Sequence, residues 1–590
     1  MKEITRLFEL PHRQLELYSK EVMFSTKIDG VWNAVSTKSF IEKANALSKG
    51  LIELGINSGD KIALVSPNRV EWNIMDIAIQ QVGAIGVPIY PNISLNDYTF
   101  IFNDAGIKMC FTGSEELYAK IDSIKKDIPT LDKTYCFDKI DGTAFYEDII
   151  EIGKEISLTE VQKRMDAINY EDLATMIYTS GTTGNPKGVM LSHQNLLSNV
   201  RACKERIPAD ENSRCLSFLP VCHVYERMLH YLYMYCGCSI YFAESMDTIG
   251  DNIREVKPHV FTAVPRLLEK VYEKIMAKGD DLTGIKRKLF FWAVALGEEF
   301  DLSGKSAWYN FKLKIARKLI FSKWQEALGG EVNAIASGSA ALSPRLARIF
   351  LAAGVPILEG YGLTETSPVI SVNCFKNGIK IGSVGTTIDD VTVKIAEDGE
   401  ILVKGPNVMM GYYNNPEKTA EEIDAEGWFH TGDIGQIEDG KFLRITDRKK
   451  EIFKTSGGKY IIPQMMENKF KESRFIEQIM VIGEGQKHPA ALIVPQFEFI
   501  KDWAKRKEYS MDTSNASICA NDKVIERIQK EVDKYNANYG SFEQIKKFAL
   551  LDRELSVEGG ELTPTLKLKR KIILSLHESK VVEIYGENLN

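Results

Sequence analysis

The segment Met176-Ile-Tyr-Thr-Ser-Gly-Thr-Thr-Gly-Asn-Pro-Lys-Gly188 restricts this chain more than any other stretch. Its apolar lead-in, Ala174-Thr-Met-Ile-Tyr178, predicts a strand. Thr179, Ser180, Gly181, Thr182, Thr183 and Gly184 follow, six small residues of which four carry hydroxyls, and then Pro186 and Lys187. With so little side-chain bulk, backbone N–H groups can approach an anion closely, the hydroxyls add donors, and Lys187 adds charge. The Walker A spacing, Gly-x4-Gly-Lys-Ser/Thr, is absent. A plain Gly/Ser/Thr surface loop has the same composition. The length of the run, and its place between a strand and a Pro-Lys-Gly turn, favour a phosphate loop of a nucleotide-using enzyme.

The rest of the chain sets outer bounds. A chain of 590 residues exceeds what one hydrophobic core supports, so at least two domains are expected. A formal charge of −7 argues against a nucleic-acid binder, which would carry a basic domain or stripe. Nine cysteines are scattered; the closest pair, Cys236-Gly-Cys238, lacks the second pair or nearby His of a metal site. Reduced, mostly buried thiols in a cytoplasmic protein are the simplest account. The start, MKEITRLFEL, is charged every few residues and has no signal-peptide core. No apolar run reaches the roughly 18 residues needed to span a bilayer.

Helices and strands alternate along most of the chain. Residues 40–54 have helical apolar spacing and end at Gly55-Ile-Asn-Ser-Gly59; Lys61-Ile-Ala-Leu-Val-Ser66 reads as a buried strand. Residues 72–82 read as a helix and residues 83–91 as a path through another strand. This rhythm predicts an α/β fold: a large N-terminal domain of parallel sheets with helices on their faces. After about residue 450 come short strands at 478–483 and 490–495 and then mostly helices from 497 to 547, a small α+β domain. The expected division is 1–449 and 450–590.

The loop resembles the signature of the adenylate-forming enzymes, the superfamily of acyl-CoA synthetases, luciferases and peptide-synthetase adenylation domains. Five further segments resemble that family's motifs in order. They are Phe218-Leu-Pro-Val-Cys-His223-Val-Tyr-Glu226-Arg227, Glu359-Gly-Tyr361-Gly362-Leu-Thr364-Glu365-Thr366, Trp428-Phe-His-Thr-Gly-Asp433, Thr446-Asp-Arg448-Lys-Lys450-Glu451 and Thr563-Pro-Thr-Leu-Lys567. The resemblance spans roughly residues 30–575. It implies activation of a carboxylic acid by ATP with release of pyrophosphate, then transfer of the acyl-adenylate to a thiol. It also implies a β-subdomain in the large domain and a mobile C-terminal domain.

Roles follow residue by residue from the resemblance. The loop from Thr179 to Lys187 would donate to the β- and γ-phosphates, and Thr364 to a phosphate oxygen. Glu365 would hold Mg²⁺, a hard cation that takes oxygen ligands. Tyr361 and Gly362 would form the adenine shelf, with Gly338, Ser339 and Ala340 too small to block a flat base; Ala336-Ser-Gly-Ser-Ala-Ala341 departs from the usual paired-glycine form. Asp433, in a Thr-Gly-Asp turn, would accept the ribose hydroxyls and Arg448 would donate to the ribose. His223 is placed near the acyl pocket or the phosphates, where it would position the carboxylate; a packed core histidine is the alternative. Lys567 would bridge the attacking carboxylate and the α-phosphate as a compact charge, although Lys569, Arg570 and Lys571 also describe a solvated basic turn. Lys450 matches the interdomain hinge. Leu566 before Lys567, where most relatives have Gly, resembles the long-chain subgroup.

So does Pro258-His-Val-Phe-Thr-Ala-Val-Pro-Arg-Leu-Leu-Glu-Lys-Val-Tyr272 with its helical insertion to Trp324. A long-chain fatty acid and CoA are the implied partners. A carrier-protein thiol, another carboxylic acid, a non-catalytic nucleotide sensor and a membrane scaffold are the other readings. In the insertion, Lys286-Arg-Lys-Leu-Phe-Phe-Trp292 and residues 308–324 interleave basic and aromatic residues. That pattern fits peripheral contact with the inner face of an anionic membrane, and equally ordinary amphipathic packing. Nothing in the sequence sets an oligomeric state.

Overall fold

The computed structural model describes residues 3–179, 185–449, 451–563 and 567–586. The chain is mixed α/β, with a large N-terminal body of parallel and mixed sheets and a smaller C-terminal one. It divides into two interleaved compact units. The first holds residues 1–394, 402–431 and 437–443; the second holds 395–401, 432–436 and 444–590.

Two sheets organise the first unit. A seven-stranded sheet runs in the order Gly411–Tyr412, Lys187–Ser192, Leu173–Thr179, Ile85–Ile89, Lys61–Val65, Ile107–Thr112, Lys133–Cys136. The last five are parallel, and the first two are antiparallel to their neighbours. Strands buried on both faces must be apolar throughout, and Lys61–Val65 and Ile85–Ile89 are buried almost end to end. The helices Thr37–Glu53 and Val70–Gln81 cover one face, with Phe40, Leu47, Leu51, Trp72 and Met75 in the core. In a second sheet, Phe24–Ile28, Ser239–Phe242, Arg214–Ser217, Val260–Ala263, Ala334–Ser337 and Ile357–Gly362 are parallel neighbours. Val31–Val35 flanks one side of this set antiparallel; Val369–Val372 and Thr386–Thr387 extend the other.

The second unit has its own core. Ile476–Ile482 pairs antiparallel with Ala490–Pro495, which pairs parallel with Lys547–Leu550. The helices Pro463–Phe470 and Asp522–Asn536 bury Met466, Phe470, Val524, Ile528 and Val532 against it. Strands expected at 478–483 and 490–495 are present. The 497–547 stretch resolves into three helices, Phe497–Arg506, Asn515–Ala520 and Asp522–Asn536. Eight cysteines are buried and Cys519 is half-buried; none is in a disulfide.

Candidate active site

In α/β sheets ligands gather beyond the carboxyl ends of parallel strands. Three strands of the second sheet end in the segments flagged by sequence. Arg214–Ser217 leads to His223, Ala334–Ser337 to residues 338–340, and Ile357–Gly362 carries Tyr361 and leads to Glu365. Ser337 is paired with Glu359, so the last two segments emerge side by side.

The phosphate segment differs from expectation in one respect. Lys187 and Gly188 are not in a turn; they open a strand that runs back antiparallel to Leu173–Thr179, with Thr179 opposite Lys187 and Tyr178 opposite Gly188. The two strands form an antiparallel hairpin, and cross-strand pairing fixes Lys187 in register with Thr179. Ser180, Gly181, Thr182, Thr183 and Gly184 lie outside the described residues. Tight packing holds the hairpin: a Cβ on Gly188 would sit 3.0 Å from the Met176 sulfur and 3.1 Å from the Tyr178 ring.

The other edge of Lys187–Ser192 pairs with Gly411–Tyr412. This brings the Lys187 ammonium over the Tyr412 ring, 5.4 Å from its centroid, and the Tyr412 hydroxyl donates to Glu365 Oε1 at 2.9 Å. Burial, followed by the Glu365 charge, pushes the Tyr412 phenol well above its ordinary pKa, so it remains a donor. One tyrosine thus links Lys187 to Glu365. Sequence reasoning missed Tyr412, because a Gly-Tyr pair in a short edge strand has no signal of its own.

Glu365 is half-buried in the single turn Thr364–Thr366, beside Thr364, which is 9% exposed. Its backbone carbonyl accepts from Met409 N–H at 2.8 Å. The turn is pinned from behind, since Asn407 Nδ2 donates to the Thr366 carbonyl at 3.0 Å. Gly362 is required by space: a Cβ there would fall 1.7 Å from the Pro368 carbonyl oxygen. Gly338 is buried, its missing Cβ position 3.3 Å from the Tyr225 ring; Ser339 is left-handed at φ 69° and Ala340 is exposed.

Tyr361 is half-buried, and its sheet face carries an unforeseen set of groups. Side chains two apart share a strand face, so Glu359 and Tyr361 lie together, with Ser337 opposite the first and Ser371 opposite the second. Neither serine hydroxyl has a hydrogen-bond partner among the described residues, though both residues are buried. Glu359 is also buried and accepts a backbone hydrogen bond from Gly382; burial pushes its pKa up to about 8. Orphaned buried polar atoms call for a partner, and a polar ligand on this face would supply one.

His223 caps the helix Val224–Cys236, its Nδ1 accepting from Tyr225 N–H at 3.2 Å. The neutral ring then carries its proton on Nε2. The Glu226-Arg227 pair that follows is structural rather than pocket-lining. Ser217 and Thr262 hydroxyls donate to Glu226 at 2.6 and 2.7 Å. Arg227, 1% exposed, is ion-paired with Asp76 and donates to Tyr231 at 2.9 Å and to Thr175 at 2.5 Å. Thr175 belongs to the strand Leu173–Thr179, so this buried charge braces the hairpin.

In the second unit, Asp433 and Arg448 are in contact: Arg448 Nε donates to Asp433 Oδ1 at 3.1 Å, and Asp433 is 4% exposed. Asp433 is not in a turn, as Thr-Gly-Asp suggested, but within the ten-residue strand Phe429–Glu438, with Gly432 at φ 70°. Lys449 pairs with Asp398 and Glu400 at 2.6 and 2.9 Å. Burial pushes the neighbouring Asp447 up to about 7. Lys450 lies outside the described residues.

Lys567 is exposed; Thr563 N–H donates to the Lys567 carbonyl at 2.8 Å and Lys567 N–H to Thr563 Oγ1 at 3.0 Å. The surrounding basic run is not uniformly solvated. Arg570 is clamped by Glu467 at 2.7 and 2.8 Å and by Glu451 at 3.2 Å.

Among the described residues no three His, Cys, Asp or Glu side chains form a metal cluster, and no helix is long and apolar enough to cross a membrane. The single Glu365 carboxylate suits Mg²⁺, which binds through one or two carboxylates together with substrate phosphates.

Known proteins place this geometry. An AMP-binding enzyme domain matches residues 13–413, and an AMP-binding enzyme C-terminal domain matches residues 450–588. The chain is 33% identical over 574 residues to long-chain-fatty-acid–CoA ligase FadD15 of Mycobacterium bovis, covering 96% of this chain and 94% of that one. It is 30% identical over 625 residues to long-chain-fatty-acid–CoA ligase 1 of Cavia porcellus, covering 99% and 87%. The adenylation domain of a carboxylate reductase from Mycobacterium chelonae shares the fold, with a TM-score of 0.77 at 22% identity over 99% of this chain and 91% of that one. The chain therefore belongs to the AMP-binding enzyme family, whose adenylate-forming members its motifs resemble.

Proposed function

We propose that the protein is a long-chain fatty acid–CoA ligase. The fatty carboxylate attacks the α-phosphate of ATP and pyrophosphate leaves. The CoA thiol then attacks the acyl-adenylate, giving acyl-CoA and AMP. The observation that carries this reading is the Lys187–Tyr412–Glu365 link. Two anionic reactants meet only where positive charge and oriented donors are already in place. Lys187 and the Thr179–Gly184 backbone and hydroxyls would hold the β- and γ-phosphates, and Thr364 would donate to a phosphate oxygen. Glu365, fixed by Tyr412, would hold Mg²⁺, which neutralises phosphate charge. Tyr361 would stack on adenine beside Gly338, Ser339 and Ala340, with Gly362 allowing close approach. Asp433, already aligned by Arg448, would accept the ribose hydroxyls. His223 would orient the carboxylate through Nε2–H.

Lys567 would supply the charge that joins carboxylate and α-phosphate in the first step. On this proposal residues 1–449 and 450–590 act as separate bodies about Lys450, and Lys567 withdraws before CoA enters. A cytoplasmic position, peripheral to a membrane from which long-chain acids partition, suits this substrate. The test is product analysis with MgATP, CoA and competing acids. AMP and pyrophosphate should appear with acyl-CoA, and dodecanoate to octadecenoate should outcompete acetate and benzoate. ADP stoichiometric with product, preference for acetate, or transfer only to a holo carrier protein would each overturn a stated part of the proposal.

A further inference from the structure

Residues 302–325 hold six Lys or Arg and no Asp or Glu, in a chain whose net charge is −7. They form the helix Ala307–Ala316, a π turn at Arg317–Phe321 and the helix Ser322–Ala327. One side is core: Tyr309, Leu313, Ala316, Phe321 and Trp324 are buried, and the Tyr309 hydroxyl donates to the Leu296 carbonyl at 2.6 Å. Across the π turn Ser322 N–H donates to the Arg317 carbonyl, five residues back. The added residue rephases Phe321 and Trp324 onto the core side.

The opposite side is apolar as well. Trp308 is 66% exposed, Phe311 55%, Ile315 37% and Leu319 47%. Their spacing of three, four and four places them in one row on the helix. The Trp308 and Phe311 rings stack at 5.7 Å and 19°. Single exposed apolar residues need no explanation, but a continuous row rimmed by charge marks an interaction surface. Lys314 and Lys318 are exposed and Lys312 half-buried beside it, with stems long enough to lie along the row while their ammonium groups reach outward. The preceding helix Gly284–Glu298 adds little aromatic surface, since Phe290 is buried and Phe291 and Trp292 are half-buried. The surface is narrower than the basic–aromatic sequence suggested, and sharper.

We propose that this row docks on an anionic lipid bilayer, with Trp308, Phe311, Ile315 and Leu319 at the acyl-chain boundary and the lysines among the headgroups. A surface of one charge sign on an acidic protein selects an acidic partner, and an apolar row of this width lies in a membrane interface without spanning it. The biological sense rests on the ligase reading, because a bilayer concentrates long-chain acids; the test does not.

Full-length protein would be sedimented with phosphatidylcholine vesicles with and without phosphatidylglycerol. Wild type should pellet with the anionic vesicles, weakly with the neutral ones, and be released by salt. Trp308→Ser/Phe311→Ser/Leu319→Ser and Lys312→Glu/Lys314→Glu/Lys318→Glu should each lower binding by about tenfold or more. ATP–pyrophosphate exchange with dodecanoate in vesicle-free buffer should be unchanged in both, which also reports their folding. Wild type remaining in the supernatant, or variants pelleting as wild type does, overturns the proposal. So does a wild-type dimer that the Ser variant abolishes, since a second copy would then cover the row. No exchange by wild type with any acid from dodecanoate to octadecenoate, with vesicle binding intact, would sink the ligase reading alone.

Discussion

The corner around Lys187, Tyr412 and Glu365 and the exposed Lys567 would serve the same reaction, yet their surroundings differ. In the corner, three strands fix one another in register, a buried arginine braces the hairpin, and Gly362 meets a carbonyl where no Cβ fits. Lys567 is exposed, and its backbone exchanges two hydrogen bonds with Thr563. Groups that receive charge before the reaction gain from rigid preorganisation. A lysine that approaches and withdraws, as proposed for Lys567, gains from an exposed position.

The largest effect should come from the brace. Arg227→Ala leaves Asp76 buried without its partner, which should cost about 3–5 kcal/mol of stability. Chemical denaturation would measure it, and a loss under about 1 kcal/mol would show that the hairpin does not depend on the pair. Tyr412→Phe should come next. Losing one hydrogen bond to a charged carboxylate is worth about 1.5–3 kcal/mol; adenylation should slow at least roughly tenfold and half-saturating Mg²⁺ should rise. A slower rate with unchanged Mg²⁺ dependence would make the tyrosine mere packing.

The smallest effect separates burial from catalysis. Glu359 has its folded pKa raised to about 8 from 4.5. Its protonated form therefore adds stability fully present below about pH 4.5 and lost as pH rises through about 8. Glu359→Gln stays neutral throughout, so its melting temperature should gain on wild type steadily across that window. A constant offset between the two melting curves would mean that Glu359 is ionised in the fold.

How far the sequence could be read follows the same division. Short apolar strands such as Lys61–Val65 and Ala490–Pro495 were legible because burial on both faces leaves no other composition. Lys187 and Glu365 could be singled out as candidates because their local motifs resemble a known family. Their link through Tyr412 was not, since it needs residues 187, 365 and 412 brought together by sheet pairing. The strand placement of Asp433 was hidden because Thr-Gly-Asp has turn chemistry, and only cross-strand pairing overrides it. Glu226 and Arg227 could be quoted from a motif, but not recognised as internal braces without knowing that Asp76 and Thr175 face them.

The central claim is that preorganised and transient charges divide the reaction between them. Single-turnover assays of Lys567→Ala, run separately for adenylation and for thioester formation from supplied acyl-adenylate and CoA, test it most directly. The account predicts adenylation slowed by about 10²–10³-fold, the loss typical of one oxyanion donor, with thioester formation close to wild type. Equal slowing of both half-reactions would contradict it and make Lys567 a structural residue.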